Sequence, residues 1–319
     1  MIDPKRIGVT PPRINRDPRL RAAVAEALPH AIFYDGSQPL DEDGLIAFLK
    51  DCDAAIMGFE PITERVLSAL PKLKLLSKFG AGYESIDFHA LKRHGIRFGY
   101  TWGVNKLAVA ELALGFMLAT QRWVAPLNLS MRAGERPRPR DGRLLSGRTV
   151  GIHGCGNIGK EVVRLLGPFN CTILSTDIRN YPEFYAAHNV TSVSMDELLA
   201  RSEVLTLHLP KTRHTINLYD EAALACLRPD CTLINTCRGG IVDEVSLLEK
   251  LEAGMLMAAA FDVFAIEPAE NDALLNHRNM LSTPHIGASA AEIRMSSALA
   301  AIRGVTENSE VDPAEYDSA

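Results

Sequence analysis

The chain has 319 residues, 47% of them hydrophobic and 23% charged, with a net charge of −5 at neutral pH. That length suits two domains of ordinary size, and that balance suits a chain able to bury sizeable cores. No apolar run reaches the roughly 18 residues that span a bilayer, the opening Met-Ile-Asp-Pro-Lys-Arg lacks the apolar centre of a secretory signal, and the acidic balance argues against nucleic acid as a partner.

Short apolar runs alternate with helical patterns, which predicts βαβ units and a mainly parallel sheet. In the first third, strands are expected at 6–10, 54–58, 73–78 and 96–100, with helical spacing over 20–28, 43–51 and 63–69. Residues 107–120 (LAVAELALGFMLAT) are apolar around nearly the whole helical circumference. A helix of that kind needs cover on most sides, so it is expected both between domains and at a subunit interface. Arg132, Arg136, Arg138, Arg140, Arg143 and Arg148 follow, with Pro137 and Pro139 among them, and read as a solvated connecting loop. A second series opens with a strand at Thr149–His153, a helix at Asn157–Leu166 and a strand at 171–176. Further strands are expected at 205–209, 233–235, 258–263 and Met280–Ser282. The acidic tail, 307–319, reads as frayed or disordered. The six cysteines (52, 155, 171, 226, 231 and 237) show no CxxC or zinc spacing. No metal site is therefore expected, and a reduced, cytoplasmic compartment fits best.

Within the second series, Gly154-Cys155-Gly156-Asn157-Ile158-Gly159 joins the first strand to its helix. Gly154 would allow a tight turn, Gly156 the close approach of backbone to a pyrophosphate, and Gly159 close packing of helix on strand, with the helix N-terminus at the phosphates. Eighteen residues after Gly159 stands Asp177, whose carboxylate would accept from ribose hydroxyls and repel a 2′-phosphate. That favours NAD over NADP, with Arg179 as the complicating neighbour. A methyltransferase also uses a glycine loop and a second-strand acid, so this block alone leaves that reading open.

Downstream lie Arg238 in Asn-Thr-Cys-Arg-Gly-Gly, Glu267 in Phe-Ala-Ile-Glu-Pro and His285 in Thr-Pro-His-Ile-Gly. Oxidation of a 2-hydroxy acid needs a base for the hydroxyl proton, and histidine suits that duty near neutral pH. A carboxylate partner orients the imidazole, and a guanidinium holds the substrate carboxylate. Singly, Arg238 could be a surface ion-pair partner, Glu267 the start of a turn and His285 a loop cap; jointly, behind a dinucleotide turn, they read as catalytic. A methyltransferase would not need them.

These blocks resemble the D-isomer-specific 2-hydroxyacid dehydrogenases, by motif from about Leu73 to Ala288, with phosphoglycerate dehydrogenase-like blocks the closest. The resemblance implies an α/β fold of two doubly wound domains with the active site in the cleft: a discontinuous, flavodoxin-like substrate domain (1–104 plus 290–319, closed by a helix over 290–304) and a Rossmann NAD-binding domain (105–289). It implies that Arg238 binds the carboxylate and keto oxygen, that His285 is the acid/base and that Glu267 orients it. Lys78, Gly80, Ala81 and Gly82 would form the substrate loop, Asn105 the crossing into the cofactor domain, and Leu209, Pro210 and Thr215 the adenine and ribose lining. Thr236, Cys237 and Asp262 would surround the nicotinamide, with Asp262 on its carboxamide. The implied cofactor is NAD, the implied substrate a small anionic 2-hydroxy or 2-oxo acid, and the implied assembly a homodimer. Two departures stand out: a thiol at Cys237, either a space-filler or an oxidation-sensitive group, and no tryptophan near 132–143. An NAD(H)-sensing corepressor with little turnover is the rival from another functional class.

Overall fold

A computed structural model describes residues 4–316, and the chain divides into two units, Met1–Asn105 with Ser289–Ala319, and Lys106–Ala288. In the first, strands β1 (Ile7–Val9), β2 (Ala31–Phe33), β3 (Ala54–Met57), β4 (Leu75–Lys78) and β5 (Arg97–Gly99) form one parallel sheet in the order β2-β1-β3-β4-β5. β1, β3 and β4 bury every residue, so none of them alternates; β1 and β3 read as continuous apolar runs, while β4 ends on buried Ser77 and Lys78. β2 escapes such a reading because it has three residues, none fully buried.

The helix Ala291–Thr306 belongs to this unit, and its Ala298, Ala301 and Val305 join a core with Ile7, Val9 and Ile56. Small residues allow the close approach: a Cβ on Gly99 would fall 2.1 Å from the Gly304 carbonyl oxygen, and Ser77 Oγ donates to the Ala301 carbonyl at 2.6 Å. The tail departs from the expectation of disorder. Ser309 bridges Phe98, Val311 is buried, and Tyr316 stacks on Phe88 with centroids 4.0 Å apart. Apolar burial through two anchors outweighs the acidic composition between them; residues 317–319 lie outside the described part.

In the second unit, β6 (Thr149–His153), β7 (Thr172–Thr176), β8 (Val190–Ser192), β9 (Val204–Leu207), β10 (Thr232–Asn235), β11 (Ala258–Phe261) and β12 (Met280–Ser282) are all parallel, in the order β12-β11-β10-β9-β6-β7-β8. This is the doubly wound dinucleotide-binding order with one strand added, and it reverses between β6 and β9. The helix Lys106–Gln121 buries Ala110, Ala113, Phe116 and Met117 in a core with Val150, Ile152 and Ile234 of this sheet. Leu107 and Leu118 on its other side remain exposed, as do Val124, Leu129 and Met131 of the next helix, Val124–Arg132, which buries none of its residues.

In the basic stretch Arg132, Arg136, Arg138 and Arg140 are exposed, as a solvated stretch would be, with Arg140 over the Trp123 ring at 3.4 Å, while half-buried Arg143 and Arg148 both reach Glu203 at 2.7 Å. No single helix among the described residues is long and apolar enough to cross a membrane.

Candidate active site

The glycine turn leaves β6 at the point where the strand order reverses. Gly154 has φ +92°, and a Cβ there would fall 2.5 Å from the His208 carbonyl oxygen, so no other residue fits. A Cβ on Gly159 would fall 2.1 Å from the Gly154 carbonyl oxygen, while one on Gly156 would meet nothing within 4 Å. Gly156 is thus open to an incoming group, and it caps the helix Asn157–Leu166 with no side-chain acceptor. The first amide donors at Asn157 and Ile158 are left for a phosphate. Asp177, just beyond β7, accepts from the Cys155 amide at 2.6 Å and from the Arg179 amide at 2.8 Å. Its carboxylate is therefore fixed beside the turn, and the donor set fits a dinucleotide.

After β9, Thr215 Oγ1 donates to the Pro210 carbonyl at 2.6 Å and accepts from the Thr212 amide at 2.7 Å. Thr215 thus shapes the loop that carries half-buried Leu209 and exposed Pro210.

The turn after β10 is organised by Asn235, which sequence reasoning missed as a site residue. Its Oδ1 accepts from the Cys237 amide at 3.1 Å and its Nδ2 donates to the Arg238 carbonyl at 3.1 Å, so one buried amide folds the turn that presents Arg238. Arg238 is half-buried, and its Nη1 donates to the Cys237 carbonyl at 2.7 Å. Thr236 is buried beside it, with Oγ1 lacking a hydrogen-bond partner among the described residues. Burial pushes the Cys237 thiol up, and its Sγ donates to Asn235 Oδ1 at 3.0 Å. Oxidation proceeds through the thiolate, so this environment supports the space-filling role over the oxidation-sensitive one.

Glu267 and His285 come together. His285 Nδ1 lies 2.7 Å from Glu267 Oε2, both side chains are partly exposed, and Glu267 Oε1 accepts from the Phe264 amide at 3.2 Å. With Nδ1 engaged, Nε2 is the nitrogen left to exchange a proton with a ligand. His285 has φ +52°, and its amide donates to the Asp262 carbonyl at 2.8 Å. Asp262, 1% exposed, accepts from Thr283 Oγ1 (2.5 Å), the Ile286 amide (2.7 Å) and the Gly287 amide (2.8 Å). Its carboxylate anchors the loop that carries His285.

A second hidden support is Glu244, which accepts from the Ala265 amide at 2.6 Å and whose carboxyl is pushed up by burial. Gly239 locks the Arg238 and Glu267 loops against each other, since a Cβ there would fall 1.7 Å from the Phe264 carbonyl oxygen.

In the first unit, Lys78 ends β4 at 2% exposure, and burial pushes its ammonium down to about 8. Gly80 follows at φ +93°, then half-buried Ala81, whose carbonyl accepts from Tyr100 Oη at 2.6 Å, and Gly82. Asn105, half-buried, closes the unit's first segment. Among the described residues, no group of three or more His, Cys, Asp or Glu could hold a metal ion.

Residues 114–287 match the family model for the D-isomer specific 2-hydroxyacid dehydrogenase NAD-binding domain. The chain is 35% identical over 254 residues to D-3-phosphoglycerate dehydrogenase of Mycobacterium leprae, covering 79% of this chain and 48% of that protein. It is 34% identical over 257 residues to the Rattus norvegicus enzyme of the same name, covering 80% and 48%. The chain therefore spans about half the length of the curated relatives it matches. Among solved structures, a glyoxylate reductase from Paecilomyes thermophila superposes with a TM-score of 0.84 at 26% identity, covering 97% of this chain and 98% of that one. With a matching family model over more than half of its length and a dinucleotide turn of the right geometry, this chain belongs to the D-isomer specific 2-hydroxyacid dehydrogenase family and carries its NAD-binding domain.

Proposed function

We propose that the protein moves a hydride between NAD and C2 of a small D-2-hydroxy or 2-oxo acid, in the manner of a phosphoglycerate dehydrogenase. The observation that carries this reading is the 2.7 Å contact between His285 and Glu267, on the same unit as the glycine turn and Arg238. NAD supplies the hydride-accepting and hydride-donating carbon when bound. Gly154, Gly156, Asn157, Ile158 and Gly159 would hold its pyrophosphate and Asp177 its ribose. Leu209, Pro210 and Thr215 would line the adenosine, with Asn105, Thr236, Cys237 and Asp262 toward the other end.

The remaining steps belong to the protein. His285 Nε2 takes the hydroxyl proton as the 2-hydroxy acid is oxidised and returns it to the keto oxygen in reduction; Glu267 keeps the imidazole oriented and stabilises its charged form. Arg238 holds the substrate carboxylate and stabilises charge that develops on the C2 oxygen. On the first unit, Lys78 and the amides of Gly80, Ala81 and Gly82 grip the anionic end of the substrate. The relatives' names put 3-phosphohydroxypyruvate first among substrates to try. A homodimer is part of the proposal, supported by exposed Leu107, Leu118, Val124, Leu129 and Met131 on consecutive helices. So is a cytoplasmic location, supported by six unpaired cysteines.

The test is NADH oxidation against phosphohydroxypyruvate, hydroxypyruvate, glyoxylate and pyruvate, repeated with NADPH and with His285→Asn. Fast turnover of one acid with NADH, lowered about 10²- to 10⁴-fold by the substitution, is the expected result. NADH binding with no turnover of any acid would favour the sensor reading, and unchanged turnover in the variant would remove His285 from the chemistry.

A further inference from the structure

In a sheet of order 2-1-3-4-5, the crevice where ligands bind lies beyond the carboxyl ends of the strands at the β1/β3 switch. The loop leaving β3 there runs Gly58-Phe59-Glu60-Pro61, beside the end of β4, because Met57 is the sheet partner of Lys78. Glu60 on that loop is completely buried. Its Oε2 accepts from the Gly58 amide at 2.6 Å, while its Oε1 has no hydrogen-bond partner among the described residues. A buried carboxylate oxygen without a donor is costly unless an opposite charge stands near. Lys78, buried at the end of β4, is an opposite charge that interacts with Glu60. Its Nζ donates to the Phe79 carbonyl at 2.9 Å and lies 4.8 Å from the centroid of the Phe59 ring. It also lies 4.0 Å from where a Cβ on Gly80 would stand, so the ammonium sits at the substrate loop.

We propose that Glu60 is a positioning residue: its buried carboxylate holds Lys78 as an ammonium at the 80–82 loop, and so sets the alkaline limit of binding for the substrate's anionic group. This rests on the reading of Lys78 as a substrate-binding residue. The charges that act on Lys78 support it. Burial pulls its proton affinity down, and Glu60, then Glu84, pull it up. Removing the Glu60 charge therefore lets Lys78 lose its proton at lower pH.

The experiment compares the full chain with Glu60→Gln, Lys78→Arg and the double variant. One readout is kcat/KM for the best 2-oxo acid from pH 6 to 9. The other is the Lys78 titration, followed by NMR on side-chain-labelled lysine and assigned through Lys78→Arg. In Glu60→Gln the Lys78 midpoint is expected to fall from about 8 by about one pH unit or more. The loss in kcat/KM is then about five-fold greater at pH 8 than at pH 6. In the Lys78→Arg background the pH-dependent part of that effect vanishes, because a guanidinium stays charged throughout.

A loss equal at every pH, or an unchanged Lys78 midpoint, overturns the proposal. A midpoint that falls while the kcat/KM profile stays fixed overturns it differently: the coupling of the two charges stands, but Lys78 does not touch substrate. If Glu60→Gln fails to fold, Glu60→Met, which removes the charge without leaving a buried polar group, takes its place with the same two readouts and the same outcomes.

Discussion

Replacing Asp262 with asparagine would test whether the loop bearing His285 is held from below. The carboxylate accepts three hydrogen bonds in a site 1% exposed. An asparagine keeps one oxygen, and its least costly orientation leaves that oxygen on Thr283 and Ile286. The new amide then faces the Gly287 amide, donor against donor. A charge-assisted bond is worth about 1.5–3 kcal/mol, and an unmet buried donor costs about 1–3 kcal/mol. Relief of a buried charge offsets part of that sum, for a net loss of about 2–4 kcal/mol. For a unit of this size each kcal/mol lowers the melting temperature by about 2–4 °C, so the melt should fall by about 4–16 °C. Differential scanning calorimetry of the intact chain measures it. Because the same loop fixes His285 against Glu267, kcat should fall in parallel when turnover is assayed well below the new melt. An Asp262→Asn protein that melts within 1 °C of the parent and turns over as fast would refute the anchoring argument.

Two further expectations concern the cysteines and the C-terminal tail. Native-state alkylation with iodoacetamide at neutral pH should mark exposed Cys226 first and spare Cys231 and Cys237, whose thiols burial pushes up, Cys231 to about 12; mass spectrometry reads the order, and equal labelling of Cys237 and Cys226 would contradict it. Tyr316→Ala should cost about 3–5 kcal/mol by analogy with other buried aromatic truncations, because the ring is buried and stacked on Phe88. Circular dichroism melts check this, and no change would mean that the tail does not hold this packing in solution.

How much could be seen in the sequence depended on whether a feature was local. Fully buried strands such as β1, β3 and β11 announce themselves as apolar runs, and the glycine turn is a six-residue pattern whose conformations follow from the absence of Cβ atoms. Arg238, Glu267 and His285 stand out in the sequence because the proposed chemistry calls for those side chains. Asn235, Glu244 and Asp262 were not legible as supports, since each acts by accepting from backbone amides, two of them on loops about 20 residues away. Tyr316 was hidden for a similar reason: an acidic tail looks solvated until one finds the aromatic pocket formed by Tyr83, Phe88 and Phe98. Nothing in the sequence singles out Glu60, and only the pairing of β3 with β4 brings the loop that carries it beside the end of β4.

The contact between Gly239 and the Phe264 carbonyl bears on motion. With no side chain to separate them, the loop that presents Arg238 and the loop that leads to Glu267 interlock, and neither can swing out without displacing the other. Local opening in proteins occurs in cooperative units rather than residue by residue. The amides of residues 237–240 and 264–267 should therefore exchange with solvent deuterium through one shared opening, so that the guanidinium and the acid/base pair are lost and regained together.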